Sequence, residues 1–132
     1  MAEELADELI GVYLARLPKE SFSNILYLAV SLGLKAPQLL EQHIEYANKK
    51  AQLFQLDALA AHKMQEAACS RGDAKRAKLE SCVIAHAEKC AQAELQFADK
   101  LAKAYHLSRM IQWVGQNRFN FILQNLNQYT LH

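Results

Sequence analysis

From Gln38 to Arg71 the chain contains neither glycine nor proline, and Gly72 ends that run. A stretch of about 35 residues without a breaker predicts one α-helix near 50 Å long. Pro37 fits its first turn, where a missing amide proton costs nothing. Asp73 is a good N-cap directly after the glycine, and a second helix is expected from there to about Tyr105. Helices joined by only one or two residues must fold back antiparallel. The sequence therefore predicts a long α-hairpin over residues 37–71 and 73–105.

Punctuation is sparse elsewhere too: the whole chain has 4 Gly and 2 Pro against 21 Ala in 132 residues. That balance disfavours β-sandwiches and barrels, which need frequent turns, and favours helices. A first helix is expected from about Ala2 to Leu17, with an apolar stripe of Leu5, Leu9, Val12, Leu14 and Leu17; Pro18 stops it. A second, about Ser21 to Leu32, is apolar almost all round and should be buried, with Gly33 as its C-terminal cap. A fifth is expected from Ser108 to about Tyr129. The fold class is all-α, a bundle of about five helices built on the hairpin and forming a single domain over residues 1–132.

The expected inward stripes of the hairpin are rich in alanine. On its first arm they comprise Leu40, Ile44, Ala47, Ala51, Phe54, Ala58, Ala61 and Cys69. On the second arm they comprise Leu79, Val83, Ala87, Cys90, Phe97, Ala98, Leu101 and Tyr105. Alanine lets two backbones approach closely but buries little area, so such a hairpin needs further helices or a partner.

Several functions are disfavoured by what the chain lacks. A hydrophobic content of 52% with a net charge of +1 is that of a folded chain, not a disordered one. No apolar run approaches the roughly 18–20 residues of a membrane span. The acidic start, Glu3, Glu4, Asp7 and Glu8, is unlike a secretory signal, so a cytoplasmic location is expected. Three cysteines, an odd number, read as reduced thiols. Neither a phosphate-binding glycine loop nor an H-E-x-x-H zinc motif is present, and no catalytic set stands out, so no enzyme is predicted.

Two local clusters offer alternative chemistry. Cys82, His86 and Cys90 recur every fourth residue, and folding the hairpin about Gly72 places His62 opposite Cys82. Thiolate and imidazole from two helices suit zinc, although Cys82 and Cys90 are too far apart to share one ion. Arg71, Lys75, Arg76 and Lys78 form a short basic tip that could touch nucleic acid, but the near-neutral total argues against strong binding.

The C-terminal segment points elsewhere. From Met110 to His132 Arg118 is the only formal charge with the histidines neutral, among eight Asn or Gln residues. Trp113, Phe119, Phe121 and Tyr129 lie in the same stretch, and aromatics commonly anchor helix-in-groove contacts. The leading expectation is a non-enzymatic protein-interaction module, a small helical subunit, adaptor or chaperone that binds a protein partner or itself through these four residues. No cofactor is implied.

Overall fold

Gly72 makes the turn on which the structure depends. Its φ of 75° lies in the left-handed region that only glycine enters without cost. Its amide donates to the Cys69 carbonyl at 3.1 Å, and the Asp73 amide donates to that of Ala68 at 2.9 Å. These two bonds form a Schellman cap and satisfy carbonyls that the helix end leaves free. Asp73 then caps the next helix, its Oδ1 accepting the Arg76 amide at 3.0 Å.

The computed structural model describes residues 2–126. Its elements are α1 (Ala2–Arg16), α2 (Phe22–Leu28) continued by a π-helical turn (Ala29–Gly33), α3 (Pro37–Ser70), α4 (Ala74–Val114) and α5 (Gln116–Gln124). The fold is all-α, with no strand among the described residues, and the predicted hairpin is α3 and α4. One boundary differs. The expected break near residues 106–107 is absent, and α4 runs on to Val114. Nothing between Ala74 and Val114 interrupts a helix, and Leu107, Ser108 and Ile111 extend its buried side. The break falls at Gly115 instead, with φ 90°.

The chain divides into two compact units: Met1–Glu41 with Lys100–His132, and Gln42–Asp99. The second unit is the hairpin's long arm pair. Its α3 seam is Ala47, Ala51, Phe54, Ala58, Ala61, Gln65 and Ala68, spaced alternately by four and three residues. The α4 seam follows the same rhythm through Ala77, Glu80, Ile84, Ala87, Ala91, Glu94 and Ala98. That spacing keeps one stripe facing the partner along a supercoil. In the register set by the Gly72 turn, Lys50 Nζ meets Glu94 at 3.3 Å, His62 Nε2 meets Glu88 at 3.7 Å, and Gln65 Nε2 donates to the Ser81 hydroxyl.

The expected α3 stripe holds except that Ala68, not Cys69, is buried. On α4 Ala87, Ala98 and Leu101 are buried as predicted, but Leu79, Val83 and Phe97 are exposed and Cys90 is half-buried. At the three exposed positions the seam takes the next residue instead, Glu80, Ile84 and Ala98, so hydrophobic size alone misplaces the stripe.

The other unit packs α1, α2, the π turn and α5 with the first residues of α3 and the last of α4. Ala6, Ile10 and Leu14 of α1, Ile25 and Ala29, Leu40, Leu107 and Ile111, and Phe119 and Ile122 are buried. The predicted α1 stripe is corrected, since Leu5 and Leu9 are exposed while Asp7 is buried. Asp7 spends that buried position on an ion pair with Arg118 of α5. The second helix is not buried all round: Tyr27 and Val30 are exposed. Gly33 serves contact, not capping. A Cβ there would stand 2.6 Å from the Ser108 Cβ, so the π turn and α4 meet where only glycine fits.

Candidate protein-interaction surface

The four aromatic residues of the C-terminal segment separate in space. Trp113, in the last turn of α4, is 63% exposed. Two residues later Gly115 redirects the chain, so α5 presents a new face. Phe119 is 1% exposed and belongs to the protein's own core beside Ile122. Phe121, on the other side of α5, is 47% exposed. Tyr129 lies outside the described residues.

Arg118 ties this region together. Its Nε donates to Asp7 Oδ1 at 2.9 Å, its Nη2 donates to Oδ2, and its guanidinium carbon lies 5.0 Å from the Phe121 ring centroid. A bidentate fork on a buried carboxylate fixes orientation as well as charge. Phe121 is thus held by a cation–π contact at the edge of an otherwise open surface. Trp113 borders a shallow depression with His106, Arg109, Met110 and Gln112. Nearby, the Tyr105 phenol is held above its ordinary range by its hydrogen bond with Glu41, with burial and the carboxylate's charge adding to the effect. The arrangement offers a flat aromatic ring, a flexible thioether and hydrogen-bonding edges.

The other candidate residues are positioned differently from expectation. His62 faces Glu88, whereas Cys82 is exposed on the outer side of α4. Cys90 Sγ lies 3.5 Å from His86 Nε2, a pair formed within one helix. Among the described residues no group of three His, Cys, Asp or Glu side chains could hold a metal ion. In the basic tip Arg76 Nη2 is engaged at 3.0 Å by the buried carboxylate of Glu80. Glu94 of the seam pairs with Lys50. No described helix is long and apolar enough to cross a membrane.

A second open apolar surface has no counterpart in the predicted site. Tyr46, Leu53 and Met64 of α3 and Leu79, Val83 and Phe97 of α4 are all exposed on the hairpin. Of these, Leu79, Val83 and Phe97 are the residues that the sequence pattern places in the seam, whereas Tyr46, Leu53 and Met64 fall outside the predicted stripe. No protein-family model, curated protein or solved structure matches this chain.

Proposed function

We propose that this chain is a non-enzymatic protein-interaction module, a small helical subunit, adaptor or chaperone of a larger cytoplasmic assembly, that docks a partner through Trp113 and Phe121. The observation that carries the reading is the 63% exposure of its single tryptophan. A residue of this size and apolarity is a poor choice for open solvent and a frequent source of binding energy. Phe121 extends the same chemistry onto α5, pre-oriented by Arg118. Phe119, by contrast, is buried and belongs to the core.

A photo-crosslinking residue in place of Trp113, used in the native cell extract, tests the reading. One protein should be captured reproducibly, and Trp113→Ala with Phe121→Ala should reduce its retention at least tenfold, about 1.4 kcal/mol, without loss of helicity. Equal retention by that double variant, or no specific capture at all, refutes the assignment. Phe119→Ala serves as a contrast, because it should lower thermal stability first.

A further inference from the structure

The two sides of the hairpin unit differ in chemistry. Side chains that directly follow a seam residue lie on one side, where His62 meets Glu88 and Gln65 reaches Ser81. Apart from Leu59 and Leu95, the residues there are polar or small. Side chains that directly precede a seam residue lie on the other side. Tyr46, Leu53, Met64, Leu79, Val83 and Phe97 all occupy such positions, each between 44% and 63% exposed. They are joined by Ala60, Ala93 and the half-buried Cys90. One side of the helix pair is therefore mostly polar, and the other is mostly apolar.

Four polar groups interrupt that apolar face, and they indicate what covers it. Arg76, beside the turn, is engaged by Glu80 within the protomer. Lys50 is engaged by Glu94 within the protomer. The remaining two are an acid on α3, Asp57, and an imidazole on α4, His86, whose Nε2 has only the weak Cys90 thiol beside it at 3.5 Å. We propose that a second copy of this chain lays the same face against the first, with α3 of each copy antiparallel to α4 of the other, completing a four-helix bundle. If the register set by the turn inside one hairpin is repeated between copies, Asp57 meets His86 of the second copy, twice by symmetry. The same register sets Met64 against Val83, and Tyr46 against Phe97, of the second copy. A two-fold contact must be self-complementary in this way.

The dimensions agree. From Tyr46 to Met64 the face is about 27 Å long at 1.5 Å per residue, and two helices make it about 20 Å wide. This footprint is of the order of the roughly 800 Å² per partner that a standard interface buries. Alanine seams explain why the second layer is needed, since each buried alanine removes little area from water. The interface is distinct from the Trp113 surface and stands or falls separately from it.

Sedimentation equilibrium of the full chain should give twice the 14.9 kDa chain mass. Met64→Glu with Val83→Glu should weaken association at least tenfold with helicity unchanged, because both positions are exposed in the protomer. Asp57→Lys or His86→Asp alone should also weaken it, and the two together should restore it. A monomer at millimolar concentration overturns the proposal. So does a dimer indifferent to the glutamates, a charge exchange without rescue, or a dimer lost on Trp113→Ala instead.

Discussion

Arg118 grips Asp7 across 111 residues of sequence, Nε to Oδ1 at 2.9 Å, and so joins the first helix to the last described one. Asp7 is buried and Arg118 is 42% exposed, so this pair sits at the rim of its unit. Burying the carboxylate is costly, and the bidentate fork offsets that cost.

Removing the arginine should therefore destabilise the fold through what it leaves behind. Arg118→Met is expected to cost about 2 kcal/mol, below the roughly 3–5 of a fully buried pair because the guanidinium is partly solvated. Asp7→Asn with Arg118→Met should recover part of that loss. Chemical denaturation of the two variants and the parent measures both effects.

At Gly33 the limit is space. Gly33→Ala drives a methyl into Ser108, with Cβ to Cβ at 2.6 Å and Cβ to Oγ at 2.8 Å, and should cost about 1–3 kcal/mol. Ser108→Gly in the same chain removes both colliding atoms and should return much of the stability. A thermal melt of the double variant no better than that of Gly33→Ala alone would place the strain elsewhere.

These two contacts mark what a sequence pattern can and cannot express. Breakers and caps are local, so Pro37, Gly72 and Asp73 located the hairpin. The close meeting of Gly33 with Ser108 and the pairing of Asp7 with Arg118 depend on elements far apart in the chain. Local spacing carries no trace of either. The α4 seam is legible only in part: Ala87, Ala98 and Leu101 are buried as expected, but hydrophobic size also points to Leu79 and Val83, where the buried neighbours are Glu80 and Ile84. In the candidate site the aromatics were legible by type, but which of them turns inward is decided by Gly115, where the helix changes direction.

Gly115 and Gly72 should answer differently to alanine. Both have positive φ and open space around the missing Cβ. Gly115 also has ψ 155°, a combination that is essentially glycine-only. Gly115→Ala should cost about 1–3 kcal/mol, and Gly72→Ala about 1, as judged by denaturant midpoints.

Tyr105 supplies a pH dependence. Its hydrogen bond with Glu41 raises the phenol above 10.0, so the fold favours the neutral hydroxyl. That contribution is complete below pH 10.0 and is lost as pH rises through the folded value. Glu41→Gln should bring the phenolate transition of Tyr105 back toward 10.0. The ultraviolet titration difference between parent and Tyr105→Phe, repeated in the Glu41→Gln background, resolves this one group among five tyrosines.

The hairpin unit is an insertion within the other one, since Gln42–Asp99 interrupts the unit formed by Met1–Glu41 and Lys100–His132. During synthesis the inner unit has all its residues once Asp99 leaves the ribosome. The outer unit cannot close until Arg118 emerges to meet Asp7. Until then the contact between α1 and α5 cannot form, so the nascent chain carries the whole hairpin segment between two ends that still have to find each other.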